Sequence, residues 1–425
     1  MNRKTAPPIK EAVEFELQLK PYQLFTLDNG IPVYTVDAGA QEVMQVELVF
    51  YAGNCYEQQK AVAATTNFLL KNGTGSRTAF QLNEEFDYYG AFCQRACYNE
   101  MAVISLSVLS KHLPRLLPVI ADMIADSIFP ETELEVYKQN SRQRLAVNLK
   151  KCDFVASRLI DAYVYGEGHP YGNYTNAADI DALTSDLVKN HFNRYYLNGR
   201  FLIFVSGKIP PGTDQLLNAH FGKRSIGQPP PKAADMIVGS ATEKKFRVMN
   251  DPNGVQGAIR MARPFPNMHH PDHMKAKVLN VLFGGFFGSR LMSNIREEKG
   301  YTYGIHSYIQ NHQQQTAWLI STEAGKDVCE ASIAEIYKEM KSLRDEPVGE
   351  EELSLMRNYL IGTMLGELDG PFHIMARWKN IILNELGADY FYDSMNTIKT
   401  VSAEELRELA NKYLVPEDFY ELVVI

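Results

Sequence analysis

Long apolar runs are missing from this sequence. No stretch of about 18 consecutive apolar residues occurs, the length a helix needs to cross a bilayer, so no segment reads as membrane-spanning. The first residues carry Arg3, Lys4 and Lys10 but no apolar core of a secretory leader, and the chain as written reads as cytoplasmic. Cysteine is scarce and odd in number. Cys55, Cys93, Cys97, Cys152 and Cys329 are scattered, unlike a disulfide framework, and Cys93 with Cys97 lacks the further ligands of a metal site. Surplus positive charge is absent too. Against 51 Asp and Glu stand 43 Lys and Arg, a net charge of -8, which argues against broad electrostatic binding to nucleic acid or an anionic membrane.

What is present is the composition of an ordinary folded protein, 45% apolar and 22% charged, in a chain long enough for about two to three domains. The second half repeats the first. Residues 75–88 lie on residues 288–301 without a gap at an offset of 213, sharing Gly75-Ser76-Arg77 with Gly288-Ser289-Arg290, Glu84-Glu85 with Glu297-Glu298, and Tyr88 with Tyr301. Towards the ends an offset of 218 matches Ile180 with Ile398, Thr184 with Ser402, Tyr195 with Tyr413 and Phe201 with Phe419. Thr184 and Ser402 each precede an acidic residue and a helical pattern, the place of an N-cap, and a β-rich run follows in both copies. One domain copied in tandem accounts for both matches.

The Pro-rich residues 208–232 read as a stiff linker, which sets expected domains at 1–230 and 231–425. In the first copy the patterning predicts strands over 25–27, 32–36, 45–50, 92–98 and 102–108. Helices are expected over 58–71, 113–126 and 132–149. Strands mixed with long helices, not in strict alternation, predict two tandem α+β domains rather than a doubly wound sheet.

Several short motifs occur in order: Leu27-Asp-Asn-Gly-Ile-Pro-Val33, Lys71-Asn-Gly-Thr74, His169-Pro-Tyr-Gly172, Leu282-Phe-Gly-Gly285 and the segment 289–303. Together they resemble the pitrilysin-type (M16) zinc-peptidase family, over nearly the whole chain. The resemblance implies two similar halves of the processing-peptidase-like metallohydrolase type, facing each other across a substrate chamber.

Catalysis in that family needs an inverted zinc motif, H-x-x-E-H, on the first helix: two His bind zinc and the Glu prepares a water. At the matching positions stand Ala64, Asn67 and Phe68, which offer neither a zinc ligand nor a base. The third ligand, a Glu, would fall within residues 139–152, which contain no Asp or Glu; no H-x-x-E-H occurs anywhere. The resemblance therefore implies that this chain binds no zinc of its own. A near miss, His269-His270-Pro271-Asp272-His273, fits H-x-x-D-H, but Pro271 suits only the first turn of a helix running on through Leu282. His269, Asp272 and His273 are weak metal candidates. His169, in its turn motif, reads as structural.

Arg296 and Tyr303 are the positive signal. In the family an Arg and a Tyr so spaced in the C-terminal half point into the chamber, where they donate to the scissile carbonyl and the substrate backbone. The first copy has Asn83 and Gly90 at the aligned positions, so the pair belongs to the second copy alone. The bland alternative pairs Arg296 with a nearby Glu on a solvated helix face. The resemblance implies a non-catalytic, peptide-binding subunit that joins a zinc-bearing homologue in a heterodimer, or a second copy of itself. The rival readings are a scaffold subunit without peptide binding and a self-sufficient peptidase using His269, His270, Asp272 and His273.

Overall fold

A computed structural model describes residues 11–230 and 240–425. The first half forms a six-stranded sheet from β1 (Gln23–Thr26), β2 (Pro32–Asp37), β3 (Val43–Phe50), β4 (Phe92–Cys97), β5 (Ala102–Leu109) and β6 (Phe201–Gly207), in the order β1-β2-β6-β3-β5-β4. The second forms a five-stranded sheet from β7 (Lys245–Val248), β8 (Gln256–Phe265), β9 (Thr302–Asn311), β10 (Thr316–Gly325) and β11 (Tyr420–Val424), in the order β7-β11-β8-β10-β9. Apart from β1 the two orders are the same. Each sheet has one parallel pair, β2 with β6 and β7 with β11, and is otherwise antiparallel.

The strand registers repeat as well. Glu47 lies opposite Phe204 between β3 and β6, and Arg260 opposite Leu422 between β8 and β11. The displacements, 260 − 47 = 213 and 422 − 204 = 218, are the two offsets of the sequence repeat. The local causes are ordinary. On β3 the residues Met44, Val46, Leu48 and Phe50 alternate onto one face and enter the core of the first half. All of central β6 is buried, as its uninterrupted apolar run requires.

Helices α1 (Val62–Leu69), α2 (Ala79–Tyr88), α3 (Leu113–Asp126), α4 (Glu131–Asn148), α5 (Cys152–Tyr165), α6 (Ala177–Asp181), α7 (Ser185–Phe192) and α8 (Thr213–Phe221) belong to the first half. The second has α9 (His273–Asn280), α10 (Cys329–Asp345), α11 (Glu350–Gly366), α12 (Pro371–Leu383), α13 (Asp389–Thr400) and α14 (Ala403–Tyr413). The expected caps are in place: Thr184 accepts from Leu187 N–H, and Ser402 forms a capping box with Glu405. Among the described residues no helix is long and apolar enough to cross a membrane.

Two expectations need correction. The first helix does not start at 58 but at Val62, because Ala61 takes φ +72° and breaks the helical path there. Nor are residues 208–232 a linker throughout: α8 lies inside them, with Leu217 and Phe221 at helical spacing buried in the core of the first half. Pro231 and Lys232 lie outside the described residues.

Each half lends a helix to the other's sheet. α5 packs Ala156, Ile160 and Val164 on Ala258, Ala262 and Leu422 of the second sheet. α12 reciprocates: Trp378 stands edge-on to Tyr22 at 4.8 Å, donates its indole N–H to the Lys20 carbonyl, and joins a core that includes Val36, Val49 and Phe204 of the first sheet. At the centre the hairpin turns meet, with Asn99 bonded to His312 and the Gln313 N–H donating to Glu100. Both pairs are 213 residues apart, so equivalent turns of the two copies touch each other.

Candidate functional site

α1 begins on a carboxylate. Glu57 accepts from the N–H groups of Ala61 and Ala63 at 3.2 and 3.0 Å, satisfying two of the donors a helix start leaves open. Burial nevertheless pushes this carboxyl up to about 7, against the pull of those two hydrogen bonds. From there Val62, Ala63, Thr65, Thr66, Asn67 and Leu69 turn into the core. Ala64 and Phe68, one turn apart, are left on the open face.

Ala64 lines a cavity of about 290 Å³ together with Glu57, Tyr137, Ser141, Arg144 and Asn148. Phe68 packs its ring on Tyr137 at 5.0 Å, and the Arg95 guanidinium lies 5.1 Å from it and donates to the Phe68 carbonyl. Asn67 faces the other way: its side-chain N–H donates to the buried Tyr196 hydroxyl at 3.1 Å. The cavity therefore receives a methyl group from α1, and an arginine from the part of α4 where a third ligand would stand. Its one acidic lining residue is occupied with the helix N-terminus. These groups do not fit a zinc ion, since the nearest added charge is positive and no imidazole is present.

In the second half the turn over Met292–Glu298 is a π-helix, closed where the Lys299 N–H donates to the Asn294 carbonyl at 3.0 Å. Gly300 follows at φ +66°, a conformation glycine adopts without strain, and the chain turns into β9. This geometry brings Arg296 and Tyr303 together. The guanidinium lies 5.3 Å from the Tyr303 ring and 4.6 Å from the ring of Phe287, between two exposed aromatics. Tyr303 is 91% exposed. Among the described residues no carboxylate pairs with Arg296, so the bland alternative of a helix-face ion pair is not what forms. At the aligned positions of the first copy, Asn83 donates to the Ala79 carbonyl and Gly90 turns the chain at φ +60°.

The His269 cluster is dispersed by its neighbours. Asp272 accepts from Lys412 and the Tyr413 hydroxyl, both at 2.6 Å, which holds its carboxyl below the usual range. His273 is buried, with Nδ1 bonded to the Pro266 carbonyl at 3.2 Å, and burial lowers it to about 4. His269 uses its backbone N–H on Asn267. Among the described residues no group of three His, Cys, Asp or Glu could hold a metal, and all five cysteines are free.

Comparison with protein families matches residues 33–171 to the insulinase family (peptidase family M16) and residues 182–360 to the peptidase M16 inactive domain. The chain belongs to the M16 peptidase family. An uncharacterised zinc protease of Rickettsia felis is 24% identical over 416 residues, covering 92% of this chain and 94% of the relative. The mitochondrial-processing peptidase subunit beta of Bos taurus is 24% identical over 437 residues, covering 95% and 84%. Among solved structures, a peptidase M16 inactive domain from Pseudomonas fluorescens superposes with a TM-score of 0.82 at 21% identity, covering 95% of this chain and 98% of that one. A protease from Helicobacter pylori gives 0.83 at 16%, covering 95% and 99%. The shared fold is the two-half α+β plan described above.

Sequence reasoning singled out Ala64, Asn67, Phe68, Arg296 and Tyr303 but missed three features that surround them. Phe287 completes the stack on Arg296; its signal was an apolar residue in a loop, where the first copy has Thr74. Arg144 carries no sequence signal that would aim it at Ala64. Glu57 has none either, because its role depends on the backbone turn at Ala61.

Proposed function

We propose that this chain is the non-catalytic, substrate-holding subunit of a two-chain M16 metallopeptidase. Its partner is a zinc-bearing homologue, and the chamber that takes the peptide closes between them. The observation that carries this reading is the contrast between two surfaces: the cavity at Ala64 holds neither a ligand set nor a free base, while the exposed Tyr303 stands beside a half-buried Arg296 guanidinium that, among the described residues, no carboxylate neutralises. Stacking between Phe287 and Tyr303 fixes the guanidinium plane while leaving its N–H edge for a peptide carbonyl. The Tyr303 hydroxyl supplies a second donor to the substrate backbone. Zinc and the attacking water belong to the partner.

The test begins by purifying the tagged chain from its own cells and identifying stoichiometric companions by mass spectrometry. With a companion that contains H-x-x-E-H, the reconstituted pair should cleave peptides that neither chain cleaves alone. Arg296→Ala should lower that rate by about 100-fold, the effect of losing one donor to a developing oxyanion, without dissociating the pair. An unchanged rate would remove Arg296 from the mechanism. A stoichiometric complex that neither binds nor cleaves peptides would favour the scaffold reading instead.

A further inference from the structure

The face of α1 that carries Ala64 and Phe68 has an arginine at each end, and acids are not scarce in a chain with 51 of them against 43 bases. Arg144, exposed on α4, lines the cavity at Ala64 and makes no hydrogen bond or ion pair among the described residues. Its neighbour Arg142, by contrast, is held by Asp181 at 2.6 Å. Glu57 lines the same cavity as Arg144, but its two oxygens are taken by the Ala61 and Ala63 N–H groups. At the other end the half-buried Arg95 reaches in from β4. Its guanidinium rests on the Phe68 ring and donates to the Phe68 carbonyl, while its Nε is buried without a partner. Arg95 too has no ion pair among the described residues. It also lines a cleft of about 730 Å³, whose acids are engaged: Glu47 with Lys379, and Glu100 with the Tyr171 hydroxyl and the Gln313 N–H. Between the two arginines stand Phe68, 43% exposed, and Tyr137, whose ring packs on it.

We propose that this face selects acidic peptide segments, an apolar side chain lying against Phe68 and Tyr137 and the side-chain carboxylates beside it pairing with Arg95 and Arg144. This selectivity deepens the peptide-holding function proposed above, on which it rests. A guanidinium is weakly hydrated and matches a carboxylate through its planar fork, and an aromatic pair beside it gives the adjoining side chain a surface to cover. Arg95 carries most of the selectivity, because water screens the exposed Arg144. A basic segment would meet like charge at both ends of the face.

The probes are end-blocked Gly-Ser decapeptides carrying Glu-Phe-Glu or Gln-Phe-Gln at the centre, titrated calorimetrically into the purified full chain. The Glu peptide should bind at least about tenfold more tightly than the Gln peptide. Arg95→Gln should cut that preference by about fivefold and Arg144→Gln by about twofold to threefold, with the Gln peptide unchanged. Urea midpoints check that the variants fold, and the exposed Arg144 keeps the test intact should Arg95→Gln fail to do so. Equal binding of the two peptides would overturn the proposal, as would a preference that survives Arg144→Gln unaltered or no binding of the Glu peptide by the unmodified chain. A Gln peptide with a free C-terminus that binds as tightly as the Glu peptide would overturn it too, by assigning recognition to the terminal carboxylate. Arg296→Ala should weaken both peptides by the same factor. Loss of that effect with the preference intact would count against the Arg296 reading alone, and the reverse against the acidic selectivity alone.

Discussion

The two halves place charges at the same two positions with the signs exchanged. Glu47 on β3 corresponds to Arg260 on β8, and Lys379 on α12 to Asp161 on α5, by the offsets of 213 and 218. On the first sheet the pair is closed: the Lys379 ammonium donates to both Glu47 oxygens, at 2.9 and 2.7 Å. On the second, Arg260 turns instead to Glu323 at 2.8 Å and to the Ser157 hydroxyl. Asp161 is left with a hydrogen bond from Gln310, and burial pushes its carboxyl up to about 7. Duplication preserved where the lent helices sit and which positions face the sheet. It did not preserve how they are held: α12 is tied by an ion pair, α5 by hydrogen bonds from Arg260 to Ser157 and from Gln310 to Asp161.

The strongest way to break this comparison is to empty the packing beneath each lent helix. Trp378 on α12 and Ile160 on α5 are equivalent by the offset of 218, and both are buried. Trp378→Ala should cost about 4 kcal/mol and Ile160→Ala about 3, read as a fall in the urea midpoint. A loss below about 1 kcal/mol at Trp378 would mean that the first sheet holds without its lent helix.

Asp161 gives the next effect, of about 2–4 kcal/mol, and it depends on pH. Its folded pKa, about 7, lies above its ordinary value of 3.8, so the native state keeps a proton the unfolded chain has lost. The stabilisation is complete below about pH 4, falls as pH rises towards 7, and is then gone. Glu57, raised from 4.5 to about 7, adds a slope of the same sign. Urea unfolding across pH 4.5–7.5 should show stability falling with pH, less steeply in Asp161→Asn, and with neither group's contribution in the double variant Asp161→Asn, Glu57→Gln. An unaltered slope in the double variant would place the titration elsewhere.

Lys379→Met should cost about 2 kcal/mol by stranding the half-buried Glu47, and adding Glu47→Gln should recover most of it, because the penalty is the unpaired charge more than the lost attraction. A double variant no more stable than Lys379→Met would instead assign the loss to packing of the lysine stem on the sheet.

Much of this plan can be read from the chain because its signals are local. Alternation along β3, the caps at Thr184 and Ser402 and the repeated Gly-Ser-Arg each act within a few residues. α8 is hidden because prolines on both sides mask the spacing of Leu217 and Phe221. The exchange of α5 and α12 is hidden for a different reason: an apolar helix face does not say which of two equivalent sheets it will cover. At the candidate site, the lack of ligands at Ala64 and Phe68 follows from residue type alone. The cavity that joins Ala64 to Arg144 brings together side chains far apart in sequence.

The smallest effect concerns a residue shared by both copies. Asn67 and Asn280 are equivalent by the offset of 213, and both are buried. Asn280 belongs to a closed network: it donates to the Ser307 carbonyl at 3.2 Å and accepts from the Ser307 hydroxyl at 2.6 Å, which in turn accepts from the Trp318 indole. Asn67 makes one side-chain bond, to Tyr196. Replacing it with leucine removes that bond and leaves the fully buried Tyr196 hydroxyl without its partner, a cost of about 1–2 kcal/mol. Adding Tyr196→Phe removes the stranded hydroxyl and should return most of the loss. Recovery in the double variant would mark Asn67 as a structural amide whose contribution is its bond to Tyr196. Failure to recover would mean that the asparagine shapes α1 by some means other than its bond to Tyr196, and that Asn67 differs from its Asn280 counterpart in more than the number of hydrogen bonds.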